Sequence, residues 1–155
     1  MSELLDAIAG VPNASEPVPG LVTGGQPLPR HLAALKQAGC ALVLDSRDPM
    51  EPRPLDEPEA VAAAGLGYVN VPMGPTRGDD ATRAKIREVL RDNVGKRKVF
   101  YHCASGNRVG ASLIPFLMLD QGFEQEDAVT AAMRIGMRNP ELLEWALEYV
   151  RSQRV

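Results

Sequence analysis

Apolar residues in this chain alternate between short unbroken runs and stretches with a period of three to four. The runs CALVLDS at 40–46 and KVFYHC at 98–103 are continuous and of strand length, which predicts strands covered on both faces. GLVTGGQP, 20–27, reads as a shorter strand closing in a Gly-Gly turn, and YVNVPM, 68–73, as another strand ending at Pro72. Between them LPRHLAALKQAG sets Leu32, Leu35 and Ala38 on one face, with Pro29 near its start and Gly39 at its stop, the punctuation of a helix. EAVAAAGLG predicts a short helix, and residues 81–94 a longer one with Ile86, Val89 and Leu90 inward. On that helix Arg83, Lys85, Arg87 and Arg91 are expected to form a solvated outer face.

VGASLIPFLMLDQG, 109–122, is apolar nearly all round, as a helix in the middle of a fold would be, with Pro115 expected to kink it. Helices at 124–136, carrying Val129 and Met133, and at 140–152, carrying Leu142, Trp145 and Tyr149, close the chain. Residues 2–8 suit a short helix, VPNASEPVPG a proline-rich loop, and GPTRGDD a turn-rich loop. RDPMEPRPLDEP holds four prolines between 49 and 58 and is expected to be an exposed loop. Strands alternating with helices imply an α/β sheet with its reactive loops at the carboxyl ends of strands.

The chain has 155 residues, is 45% hydrophobic and 24% charged, and is expected to be one domain spanning 1–155. A net charge of −3 gives no general electrostatic reason to expect nucleic acid or an anionic membrane as partner. MSELLDAIAG lacks the features of a signal peptide, and no run reaches the ~18 apolar residues that span a bilayer. With only two cysteines, Cys40 and Cys103, the expected setting is cytoplasmic with reduced thiols.

The chemistry concentrates in KVFYHCASGNRVGAS, 98–112. A strand delivers Cys103 to the edge of the sheet, and Ala104, Ser105, Gly106 and Asn107 turn directly into a helix starting near Arg108. Main-chain N–H groups of such a turn and of the first helical turn lack intrahelical partners, and together with the helix dipole they form a cradle for an oxyanion. Gly106 can take a positive φ there without steric cost. A thiolate is the nucleophilic form of cysteine, and amides plus the Arg108 guanidinium would stabilise it. The planar fork of Arg108 can also grip two oxygens of a bound anion. Cys40 reads instead as a buried hydrophobe in its strand. His102 and Cys103 point to opposite faces, so the imidazole is expected to hydrogen-bond inside the fold and stiffen the loop. Two His and two Cys, without ligand spacing, suggest no metal site.

HCASGNR resembles the loop of the cysteine-dependent protein tyrosine and dual-specificity phosphatases, H-C-x5-R. TGGQPLPRHLAALKQAGCALVLDSR, upstream of it, resembles the opening of a bacterial phosphatase-like subfamily that occurs alone or fused to β-lactamase-fold hydrolases or NAD kinase-like proteins. The resemblance covers roughly 18–150. It implies the phosphatase α/β fold, with a short, mostly parallel central sheet between helices. It also implies Cys103 as the nucleophile forming a thiophosphate intermediate, Arg108 as the phosphoryl clamp, and the amides of Ala104, Ser105, Gly106, Asn107 and Arg108 as the phosphate-binding lining. The substrate would be a phosphorylated protein or small molecule, and no cofactor or metal is implied.

Two departures from the family pattern bear on activity. The spacing is C-x4-R, the length found in rhodanese-like sulfurtransferases, so a Cys103 persulfide is a rival reading, and a phosphate-binding module without catalysis is another. Val109 stands where the phosphatases usually carry Ser or Thr, with Ser112 one turn further along. A phosphatase also needs a general acid for the leaving oxygen. The resemblance points to Asp79 or Asp80, either of which could instead cap the following helix, and Asp48 is a further candidate.

Overall fold

The computed structural model describes residues 2–73 and 79–154. Five strands form one sheet: β1 (Ser15–Val18), β2 (Leu21–Gly24), β3 (Cys40–Asp45), β4 (Gly67–Asn70) and β5 (Lys98–His102). Their spatial order is β1-β2-β5-β3-β4, with β1 antiparallel to β2 and every other pairing parallel. The helices are α1 (Glu3–Ala7), α2 (Pro29–Gln37), α3 (Glu57–Ala63), α4 (Asp80–Asn93), α5 (Asn107–Leu119), α6 (Gln125–Ile135) and α7 (Pro140–Gln153). Among the described residues no helix is long and apolar enough to cross a membrane.

The unbroken apolar runs are explained by two separate cores, one on each face of the sheet. Leu21, Leu42, Leu44, Val99, Tyr101 and Cys103 pack toward α4–α7. Val22, Cys40, Val43 and Phe100 pack toward α1–α3. Alternate residues of one strand thus enter opposite cores. Helix α5 is buried continuously from Arg108 to Met118, and it runs through Pro115 without a break.

Several expectations are corrected. Ser15–Val18, inside the segment read as a loop, is the edge strand β1; its Pro17 is tolerated because an edge strand leaves one side unpaired. The strand predicted at 68–73 is confined to Gly67–Asn70, although the N–H groups of Val71 and Met73 still donate to the carbonyls of Asp45 and Ser46. On α6 the inward residues are Ala128, Ala132 and Ile135, whereas Met133 is exposed and Val129 half-buried. The two helices meet backbone to backbone: a Cβ on Gly110 of α5 would lie 2.6 Å from the Ala132 carbonyl oxygen, so α5 carries glycine at this contact. Arg83 is not a solvated charge: it is buried over the rings of Trp145 and Tyr149, 5.1 and 5.5 Å from their centroids, and pairs with Asp80. Arg87 is half-buried on Asp120 at 2.7 Å. Residues 74–78 of the predicted turn-rich loop lie outside the described residues.

Gly110→Ala separates two opposed effects. Helix propensity alone would stabilise α5 by about 1 kcal/mol. A methyl group 2.6 Å from a main-chain oxygen forces α5 and α6 apart, which typically costs about 1–3 kcal/mol. The net expectation is a lower unfolding midpoint in urea; an unchanged or raised midpoint would refute the close contact.

Candidate active site

Strand β5 ends at His102 in the middle of the sheet, and the chain turns through 103–106 into α5. Three carbonyls of this turn are tied away from its centre. The Cys103 oxygen faces His102 Nδ1 at 3.0 Å, the Ala104 oxygen accepts from the Gln26 N–H at 2.9 Å, and the Ser105 oxygen accepts from Asn13 Nδ2 at 2.7 Å. A trans peptide plane sets each carbonyl opposite the N–H of the next residue. The N–H groups of Ala104, Ser105 and Gly106 are therefore directed toward the other side of the turn. The Gly106 N–H reaches the Cys103 sulfur at 3.1 Å. Gly106 adopts φ +103°, and a Cβ there would sit 2.0 Å from the Ile135 oxygen, so glycine is required on both counts.

The Gly-Gly-Gln-Pro segment has a local role in this geometry. A Cβ on Gly25 would lie 2.4 Å from the Ala104 oxygen, so the bare backbone lets the two loops touch and lets Gln26 donate. The Asn107 side chain accepts from the N–H groups of Arg138 and Asn139 at 2.7 and 3.3 Å, which moors the start of α5 to the α6–α7 connection. Ser112 does not serve the sulfur: its hydroxyl donates to the Val109 carbonyl at 3.1 Å and meets the Tyr101 hydroxyl at 2.5 Å.

Cys103 and Arg108 are both buried, and Arg108 is close enough to the sulfur to interact with it. Nη1 of Arg108 donates to Glu51 Oε2 at 2.7 Å and to the Met73 carbonyl at 3.0 Å, while Nη2 donates to Glu51 Oε1 at 2.9 Å. This two-pronged pairing holds the Glu51 carboxyl down at a pKa of about 2, burial working the other way. Glu51 also accepts from Arg47 Nε at 3.0 Å and from the Asp48 N–H at 2.8 Å.

Glu51 is the residue that sequence reasoning missed, because proline content pointed to an exposed loop. Instead the segment turns Arg47, Arg53 and Glu57 inward. Their alternation of cation and carboxylate within a proline-stiffened stretch was the available signal. Arg53 pairs with both Asp45 and Glu57, and Asp45 accepts from the Tyr68 hydroxyl at 2.6 Å. Glu57 in turn meets His102 Nε2 and accepts from Gln26 Nε2 at 2.8 Å. Burial raises the Glu57 pKa, but His102, Gln26 and Arg53 outweigh it and leave the carboxyl below its ordinary value. Asp45, Glu57 and His102 offer oxygen and nitrogen atoms within 4.8 Å of one another, as a metal site would. Arg53 and Tyr68 already engage those oxygens, which makes the group a neutralised hydrogen-bond network. His102 behaves as expected, stacked on Phe100 at 5.3 Å and bracing the turn.

The acid candidates are each engaged locally. Exposed Asp79 caps α4 through the Thr82 N–H at 2.8 Å, and that bond holds its carboxyl below the usual range. Asp80 pairs with Arg83, and Asp48 accepts from the Met50 N–H at 2.8 Å.

Comparison with solved structures recovers the same architecture. A DUF442 protein of Shewanella putrefaciens, assigned as a phosphatase, superposes with a TM-score of 0.80 over 96% of this chain and 97% of its own, at 19% identity. The fold is that of the Cys-dependent phosphatases. The core catalytic domain of SIW14, a PP-IP phosphatase of S. cerevisiae, gives 0.75 over 93% of this chain and 89% of its own, at 16% identity. TpbA of P. aeruginosa gives 0.71 over 93% and 86%, at 20% identity. No family model and no curated protein matches the chain.

Glu57→Gln tests the network beneath the turn. Because the folded pKa of Glu57 is depressed, its stabilisation is fully present above the unfolded value of about 4.3 and is lost as the pH falls. The variant is expected to lose about 2–4 kcal/mol near pH 7. Urea melts should show the gap from the parent protein closing toward about pH 3; a gap independent of pH would refute an ionised Glu57.

Proposed function

We propose that the protein is a phosphomonoester hydrolase in which Cys103 attacks phosphorus. The observation that carries this reading is the sulfur held at 3.1 Å by the Gly106 N–H with the Arg108 guanidinium beside it. Main-chain donors and a bidentate cation around one nucleophile suit a transition state that spreads negative charge over three equatorial oxygens. In the proposed course the S–P bond forms as the P–O bond to the leaving group breaks. Water then attacks phosphorus, the S–P bond breaks, and phosphate departs with the thiolate restored. The fold shared with TpbA, which has been solved in complex with phosphotyrosine, supports a phosphorylated substrate for this chain as well. Two free cysteines accord with a reducing compartment such as the cytoplasm.

The second reading, sulfur transfer, has a specific observation in its favour. The C-x4-R turn has one amide fewer than the phosphatase loop, and Val109 offers no hydroxyl to help the sulfur leave phosphorus. Phenyl phosphate hydrolysis measured beside a thiosulfate–cyanide assay separates the two. Hydrolysis is expected in the parent protein and a loss of at least about a thousandfold in Cys103→Ser. Activity only with thiosulfate would establish the rival. Silence in both, with phosphate still raising the melting temperature, would identify a binding module.

Asp79 is proposed as the acid. Its carboxylate caps α4 in the resting protein, downstream of Met73, whose carbonyl accepts from Arg108 Nη1, and as the acid it would give its proton to the leaving oxygen. Asp79→Asn is expected to slow kcat for an alkyl phosphate at least about tenfold more than for a nitrophenyl phosphate, whose leaving group needs no proton. Equal losses on the two esters would rule it out.

A further inference from the structure

The Arg108 fork that would clamp a phosphoryl group already holds an anion, the carboxylate of Glu51, at 2.7 and 2.9 Å. Glu51 is not needed to aim that fork. Arg108 is buried, and its Nη1 is fixed independently by the Met73 carbonyl at 3.0 Å. Nor is Arg108 the only holder of Glu51: Arg47 Nε at 3.0 Å and the Asp48 N–H at 2.8 Å offer the carboxylate partners nearby when it is displaced from the fork. Partner exchange is therefore built into the loop.

The same carboxylate lines a pocket of about 400 Å³ whose other walls come from the proline-rich segment, the start of α3, and Tyr68 and Asn70 of β4. That volume suits a ring-sized group. Pro49, Leu55 and Tyr68 give it apolar wall, and its charged lining is Glu51, Asp56 and Glu57 against a single cation, Arg53. The terminal nitrogens of Arg53 are committed to Asp45, Glu57 and the carbonyls of Arg47 and Asp48. Glu57 is spent on Arg53 and His102, so the negative charge this lining presents is that of Asp56 and, once it leaves Arg108, of Glu51. An aromatic or cationic group is accommodated there, and a second phosphate is repelled.

We infer that Glu51 determines specificity: it competes with the incoming oxyanion for Arg108 and, once displaced, guards the pocket that receives the phosphate's carrier. The site then favours one phosphoryl dianion, which outbids a single carboxylate, on an uncharged or cationic ring-sized carrier, and disfavours a carrier with a second phosphate. This inference rests on the phosphatase reading.

Glu51→Gln keeps the size and hydrogen-bonding shape of the side chain and removes its charge. The probes are inorganic phosphate by calorimetry, and phenyl phosphate against 1,4-phenylene bisphosphate by initial rates. The variant is expected to bind phosphate roughly tenfold more tightly and to show a lower KM for phenyl phosphate. Its preference for the monophosphate, as a ratio of kcat/KM, should shrink about tenfold. Glu51→Ala should move both quantities the same way, which excludes an effect peculiar to the amide. Unchanged or weaker phosphate binding would overturn the inference, because Glu51 would then merely orient Arg108. So would an unchanged preference while hydrolysis persists. If neither protein binds phosphate or cleaves either ester, the phosphatase reading fails and this inference falls with it.

Discussion

Peptide planarity, applied to three consecutive residues, organises the candidate site. Once the carbonyls of Cys103, Ala104 and Ser105 are tethered by His102, Gln26 and Asn13, the N–H groups that follow them have only one side to face. Each tether comes from a different part of the chain: the end of β5, the turn after β2, and the loop before β1. The sheet must assemble before the cradle can exist. That dependence explains why the Gly25 backbone approaches the Ala104 oxygen so closely that no side chain fits between them.

The buried polar network below the turn extends this logic. His102 is pinned between the Cys103 carbonyl and Glu57, Glu57 is paired with Arg53, and Arg53 also grips Asp45 at the end of β3. Loss of one member would leave another charge buried without its partner, so such chains of ion pairs hold a geometry more than they raise net stability. Here the geometry held is that of two loops at the carboxyl edge of the sheet, the Cys103 turn and the proline-rich segment. The prolines limit the freedom of that segment in the unfolded chain, and its charged side chains fasten it to the folded one.

Electrostatics then sets the resting state. The fork of Arg108 is occupied by a carboxylate of the protein's own, Glu51, so the buried guanidinium rests with a counter-charge. The opposite arrangement operates on α4, where burial of Arg83 against Trp145 and Tyr149 turns an apparent surface charge into part of the packing between α4 and α7.

Whatever depends on neighbours along the chain was legible in the sequence. The unbroken runs at 40–46 and 98–103 marked strands with two covered faces, and the all-apolar 109–122 marked the central helix. The succession of strand, small turn, Arg and helix marked the loop around Cys103, because each rests on local sterics and hydrogen bonding. Edge strand β1 was hidden by Pro17 and Glu16, whose fit depends on β2 lying alongside. Nothing local to α6 marked Ala128, Ala132 and Ile135 as its buried face, because that depends on α5 approaching closely enough that Gly110 meets the Ala132 carbonyl. The partnership of Glu51 with Arg108 joins positions 57 residues apart, and no period or propensity encodes it. The sequence alone determined that a cysteine and an arginine share one turn at the head of a helix. Only the tertiary structure decided which distant carboxylate faces them, since pairing across a fold depends on where the backbone brings charges together and not on their spacing along it.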